Sequence, residues 1–113
     1  MAAYLEPYRR LARWPLGRWL FSRAVCWRAP YFASIHPLVT DYRAGYAEVR
    51  IPDRRGMHNH IGTVHAIALC NLAELCGALT VDSQMPAELR WIPSGMTVRY
   101  VKKASGTITG KCT

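Results

Sequence analysis

Glu74 is an acidic residue inside a long apolar stretch. Its neighbours are Leu72, Ala73 and Leu75, and the next carboxylate along the chain belongs to Asp82. Burying an unpaired carboxylate costs free energy, and a carboxylate held in such surroundings suits a general base or a nucleophile. A buried glutamate that accepts a tertiary hydrogen bond and has no chemical role is the alternative that these residues leave open.

The histidines and cysteines of the chain are candidate metal ligands, because both residue types bind metals. His58, His60 and His65 lie close together just before the apolar stretch, and imidazole is a common zinc ligand. Their spacings match no familiar ligand pair, and the four cysteines of the chain form no CxxC pair. We therefore expect neither a metal nor a cofactor. The cysteines are interpreted as small hydrophobic residues of a protein in a reducing cytoplasm.

The elements before the apolar stretch are predicted from helix stop signals and from residue alternation. Helices are expected over residues 4–14 and 17–28, because Pro15 ends the first and an Ala-Pro pair follows the second. Strands are expected over residues 36–42 and 46–51, on either side of a turn that contains glycine.

The second half of the chain contains the central element. Residues 63–81 are long enough for a helix and apolar around its whole circumference, which predicts a helix buried on all sides. Strands are expected over residues 89–92, 96–103 and 107–113. This order of elements predicts an α+β fold in which an antiparallel sheet wraps around one central helix. The last strand has no neighbour after it, so we expect a partner subunit to cover its edge or the chain to continue as a longer protein.

The net charge of the chain limits the kinds of partner that it is expected to bind. Lysine and arginine number 15 against seven acidic residues, which gives a net charge of +8. Such a balance suits nucleic acid, an acidic membrane surface or a small molecule that carries phosphate. No nucleic-acid-binding motif is present, so we expect no nucleic-acid partner. We also expect no transmembrane segment, because charged and polar residues interrupt every apolar run before it could span a bilayer.

Residues 59–74 resemble the hotdog-fold thioesterase superfamily, whose central helix opens with Asn-x-x-Gly-x-x-His-Gly-Gly. Superfamily members place Asp or Glu eight residues past the first glycine of the closing pair. The matching residues here are Asn59, Gly62, His65, Ala66 and Glu74. The resemblance extends over essentially the whole chain. It points to a small uncharacterised branch related to acyl-CoA thioesterases of the phenylacetate-pathway type.

The resemblance implies a hotdog fold for residues 1–113 as a single domain, with an N-terminal helical segment at 1–29 and a core at 30–113. It implies an acyl-CoA thioesterase in which the Ala66 N–H polarises the thioester carbonyl and Glu74 activates water or attacks the carbonyl. Asn59 would orient the carbonyl or the water. Further residues are expected to bind substrate, with the basic ones meeting the phosphates of an acyl-CoA or the arm of an acyl carrier: His60, Gly62, Thr63, His65, Arg99, Lys102 and Lys103.

Spacing adds an argument that is independent of the resemblance. Ala66 and Glu74 are eight residues apart, which is ~12 Å along one helix. One carbonyl cannot contact both, so a shared site needs two chains related by a two-fold axis. We therefore expect a homodimer or a tetramer. Because Ala66 and Ile67 replace both glycines of the motif, the alternative is a non-catalytic acyl-binding or scaffold protein whose site is closed.

Overall fold

A computed structural model describes residues 4–113 of the chain. Within these residues the helices and strands are α1 (Leu5–Leu11), α2 (Gly17–Arg28), β1 (Leu38–Arg43), β2 (Tyr46–Ile51), α3 (Ala66–Asp82) and β3 (Ile108–Cys112), with short 3₁₀ helices at Pro30–Ile35 and Arg55–Met57. The expected α+β class is confirmed, and the prediction for α2 and β2 is correct to the residue.

The three strands form an antiparallel sheet with β2 in the centre. Ala47, Val49 and Ile51 of β2 are fully buried, whereas Tyr46, Glu48 and Arg50 point the other way and are partly or wholly exposed. This alternation follows from the two-residue period of a strand. The buried face of the sheet receives α3, so the sheet curves around the helix as the sequence predicts.

The closest contact between sheet and helix lies at Gly110 in β3. A Cβ atom at this position would come within 2.9 Å of Leu72 Cγ and 3.0 Å of Cys76 Sγ on α3. Only a residue without a side chain allows β3 to approach the helix this closely. Gly110 therefore sets the distance between the edge strand and α3.

The N-terminal helices pack against the same core. The rings of Tyr8 and Phe21 meet edge to face with centroids 5.1 Å apart, and Tyr42 completes the aromatic cluster. The Tyr42 hydroxyl donates to the Leu79 carbonyl at 2.8 Å, which ties β1 to α3. Ser22 Oγ accepts the Val39 N–H at 2.9 Å and ties α2 to β1. Helices α1 and α2 are thus part of the folded core.

Two of the predicted strands are wrong. Residues 89–92 and 96–103 run as exposed extended chain outside any strand. Their apolar and β-branched residues favour a strand, but a strand also needs a hydrogen-bonding neighbour. Within residues 4–113, β1 and β3 each pair with β2 only, and residues 89–103 pair with neither outer edge of this sheet.

The central helix also differs from its prediction. It begins at Ala66 rather than residue 63, because Val64 instead forms a bridge with His58 and donates its N–H to the Ala104 carbonyl. One face is buried, but Ile67, Ala73, Glu74 and Val81 are exposed. The expectation of burial on all sides is therefore wrong for a single chain, because the sheet covers only one side of α3.

Candidate functional site

The turn before α3 is held by the side chain of Asn59. Its Oδ1 accepts the N–H groups of Ile61 and Thr63, both at 3.1 Å, and its Nδ2 donates to Thr63 Oγ1 at 2.8 Å. Gly62 has a positive φ of 81°, a conformation that favours glycine. Asn59 thus acts first as the residue that shapes this turn.

The start of α3 leaves the backbone donors of Ala66 and Ala68 without an acceptor among residues 4–113. His65 is the N-cap residue, and its Nδ1 accepts the Ile67 N–H at 3.0 Å. The neutral ring therefore carries its proton on Nε2. The Ala66 N–H, at the first helical position, donates to no atom of residues 4–113. It lies at the positive end of the helix dipole.

Ala66 lines a cavity of about 350 Å³, the Ala66 cavity. Predicted site residues lie together here: Asn59, Thr63, Ala66, Lys102 and Lys103. Arg99, His60 and Gly62 are exposed and lie outside this lining, and His65 faces a different cavity. The cavity combines a backbone donor with two ammonium groups, a set that suits an anionic ligand with an adjacent carbonyl.

Glu74 lines a different cavity of about 570 Å³, the Glu74 cavity, which includes Trp91, Ser94 and Met96 from the extended segment. Its carboxylate is exposed, so the predicted burial is wrong in the single chain. The reason is the position of Glu74 on the face of α3 that the sheet leaves uncovered. Ala66 and Glu74 thus line separate cavities of the same chain.

Two features of this region carry no signal in the sequence. The Tyr100 hydroxyl contacts Cys70 Sγ at 2.7 Å and donates to the Ala66 carbonyl at 3.4 Å, and the Cys70 thiol raises the pKa of Tyr100. Asp53 pairs with His58 and accepts the Gly106 N–H at 2.8 Å; these two hydrogen bonds lower the pKa of Asp53. Both features join residues that are distant in sequence or in a loop, where periodicity predicts nothing.

Residues 4–113 contain no group of three or more histidine, cysteine or acidic side chains arranged to hold a metal ion. No helix among these residues is long and apolar enough to cross a membrane.

The sheet wrapped on α3 and the motif at the start of that helix define a hotdog-fold protein, and solved structures agree. Residues 17–113 match the family described as a domain of unknown function, DUF4442, and the chain belongs to that family. The predicted resemblance to hotdog-fold proteins is therefore confirmed for the fold. No curated protein matches the chain.

Three solved structures illustrate the relationship. A structural-genomics target is 48% identical, with a TM-score of 0.83, over 96% of this chain and 72% of its own. A Pseudomonas aeruginosa protein of unknown function, described as a probable thioesterase, is 26% identical, with a TM-score of 0.71, over 80% of this chain and 60% of its own. The Escherichia coli PaaI protein from the phenylacetic acid degradation operon is 20% identical, with a TM-score of 0.63, over 83% of this chain and 72% of its own. At this identity the likeness shows the fold alone.

Proposed function

We propose that this protein hydrolyses acyl thioesters at a site shared by two chains. The observation that carries the proposal is the free N–H of Ala66 at the N-terminus of α3, at a residue that lines a cavity together with Lys102 and Lys103. The description of the Pseudomonas aeruginosa relative as a probable thioesterase supports the same activity. The substrate is an acyl-CoA or an acyl-carrier thioester.

The reaction uses the two cavities of different chains. The thioester carbonyl oxygen accepts the Ala66 N–H, which stabilises the negative charge that develops there. The partner's Glu74 removes a proton from water, and the hydroxide attacks the carbonyl carbon. The C–S bond then breaks, and the thiolate leaves with the proton that the carboxylate took up. Lys102 and Lys103 bind the phosphates of the carrier.

Assembly and location follow from this reaction. A homodimer is the smallest unit that places the Ala66 donor of one chain beside Glu74 of the other, and a tetramer repeats that unit. Residues 1–113 act as a single domain, with helices α1 and α2 packed on the rest of the core. Water is the only co-reactant, so no cofactor is required beyond the coenzyme A of the substrate. Cytoplasmic acyl-CoA pools supply that substrate.

A hydrolysis screen over short, long and aromatic acyl-CoA esters tests the proposal. We expect turnover of at least one ester by the wild type and a loss of ~10²-fold or more in Glu74→Gln, the scale of general-base catalysis. Glu74 is exposed, so this variant keeps the fold. Glu88→Gln, at another exposed glutamate outside both cavities, is the matched control and keeps full turnover.

The alternative is an acyl-binding protein without turnover. It is favoured by the side chains of Ala66 and Ile67, which replace glycines, and by the hydrogen bond that occupies the Ile67 N–H. Tight binding of acyl-CoA esters by the wild type, with no thiol released from any of them, would establish this alternative.

A further inference from the structure

A third cavity of about 160 Å³ lies beside α3, between the 3₁₀ helix Pro30–Ile35 and the turn at Met57. We name it the Asn71 cavity; the residues of its lining with polar side chains are Tyr31, Ser34, His58, His65 and Asn71. Neither the motif at residues 59–74 nor the proposed reaction assigns a role to Ser34 or Asn71.

Asn71 is 8% exposed, and its Oδ1 has no hydrogen-bond partner among residues 4–113. A buried polar atom without a partner is rare and carries a free-energy penalty. The amide orientation is fixed by its other end. Asn71 Nδ2 donates to Ser34 Oγ at 3.2 Å, and the Ser34 hydroxyl donates to the Tyr31 carbonyl at 2.8 Å. Flipping the amide would bring Oδ1 against an oxygen whose hydrogen is already used.

The rest of the lining restricts what the carbonyl of Asn71 can bind. His65 presents an Nε2–H donor, because its Nδ1 already accepts the Ile67 N–H. Ile35, Met57 and Ala68 supply apolar wall. An engineered apolar cavity of about 150 Å³ holds one benzene molecule, so a cavity of this size takes a compact group rather than a long chain. The ligand is therefore small, mostly apolar, and carries one hydroxyl.

Asn71, which lines this cavity, lies close to the proposed catalytic residue Glu74 along α3. Asn71 and Glu74 are three residues apart on α3, which places their Cβ atoms about 5–6 Å apart on neighbouring faces. A substituent bound at Asn71 Oδ1 is then only a few bonds from a carbonyl carbon beside Glu74. We propose that the Asn71 cavity binds the acyl end of the thioester and selects acyl groups with a hydroxyl on the third carbon. This inference rests on the proposed function.

The test compares the two enantiomers of 3-hydroxybutyryl-CoA, (R) and (S), with butyryl-CoA, which lacks the hydroxyl on the third carbon. We expect kcat/KM to favour one hydroxylated enantiomer by ~10-fold or more, because a site with a buried unpaired acceptor discriminates against a ligand that cannot donate to it. The preference should fall below ~3-fold in Asn71→Leu, which keeps the shape and removes the acceptor. Thr80→Val, at another buried polar residue of α3 outside the cavity, keeps the preference.

Ser34→Ala provides a second variant that does not disturb the core, because Ser34 is exposed. It removes the oxygen that fixes the Asn71 amide, so the hydroxyl preference should fall while the thermal unfolding midpoint stays that of the wild type. This separates a positioning role of Ser34 from a loss of folding in Asn71→Leu.

Binding of non-hydrolysable thioethers separates this inference from the proposed function. S-(3-hydroxybutyl)-CoA and S-butyl-CoA are titrated into the wild type by calorimetry, and we expect tighter binding of the hydroxylated analogue. A hydroxyl preference in binding without any ester turnover would refute the hydrolase and retain the cavity assignment. Turnover with equal kcat/KM for all three esters, or no thioether binding at all, would overturn the assignment of the cavity.

Discussion

Ala66 is the first residue of α3, a position where a backbone donor can be removed without breaking the helix. Proline is tolerated at the first residue of a helix, since its missing N–H has no intrahelical acceptor there. The preceding residue, His65, has φ −63° and ψ 140°, which is the conformation that proline requires before it. Ala66 is also one of the two positions where this chain departs from the glycines of the superfamily motif.

We expect Ala66→Pro to fold like the wild type and to lose ~10²–10³-fold in kcat, the cost of removing one oxyanion donor. Far-ultraviolet circular dichroism checks the fold, and thiol release from the best ester measures kcat. Ala66→Ser is the matched control, because serine also enlarges the side chain at this position but keeps the backbone N–H. An Ala66→Pro variant with normal kcat would show that the carbonyl is polarised elsewhere.

Cys76 contributes a pH dependence to the fold. Burial beneath the sheet raises the pKa of its thiol to about 11, against 9.0 for the free group. The folded state therefore keeps the proton longer than the unfolded state, so stability is full below pH 9 and falls as the pH rises towards 11. We expect the free energy of unfolding to drop by on the order of 2 kcal/mol across this range.

Urea unfolding at pH 7, 9 and 10.5 measures this drop. Cys76→Ala should make the drop smaller, and the Cys26 thiol, whose pKa is also raised by burial, retains part of it. If the wild type and Cys76→Ala lose stability in parallel above pH 9, groups other than Cys76 cause the alkaline sensitivity.

The motif residues could be placed from the sequence because they are consecutive on one turn and one helix. Asn59, Ala66 and Glu74 were all singled out, and the Ala66 cavity joins the first two. Asn71 could not be found in the same way, because the partner that orients its amide is Ser34, 37 residues earlier. Long-range hydrogen bonds of this kind leave no periodic signal.

At the level of elements, the contact between β3 and α3 depends on Gly110. A methyl group there would overlap Leu72 and Cys76, so the strand or the helix must shift. We expect Gly110→Ala to destabilise the protein by about 1–3 kcal/mol, the usual cost of overpacking. Gly56→Ala is the matched control, since its Cβ would meet no atom within 4 Å, and it should change stability by less than ~0.5 kcal/mol.

Thermal and urea unfolding of both glycine variants measure these changes. Equal stability of Gly110→Ala and Gly56→Ala would contradict the close packing of β3 on α3.

The success of the element predictions depended on whether the signal was local. Helix α2 ends at a proline and β2 has a strict alternation, so both were predicted with their correct bounds. Residues 89–103 have strand-like composition but no neighbouring strand within residues 4–113. Whether a segment pairs as a strand depends on its neighbours in the folded sheet, and the composition of the segment alone does not show this.

At the level of the whole molecule, the chain divides its proposed chemistry between two cavities. The Ala66 cavity holds the donor and the lysines, and the Glu74 cavity holds the base. Both open on sides of α3 that the sheet leaves uncovered. A second copy of the chain, related by a two-fold axis, would bring the donor of one helix to the base of the other.

A mixed dimer of Glu74→Gln and Ala66→Pro chains tests this central claim most directly. Each homodimer should be nearly inactive, because every site contains one damaged residue. If each site combines Ala66 of one chain with Glu74 of the other, the mixed dimer has one intact site and one doubly damaged site. Purified through two different affinity tags, it should recover about half of the wild-type kcat. A verified mixed dimer that stays as inactive as its parents would contradict a site built from two chains.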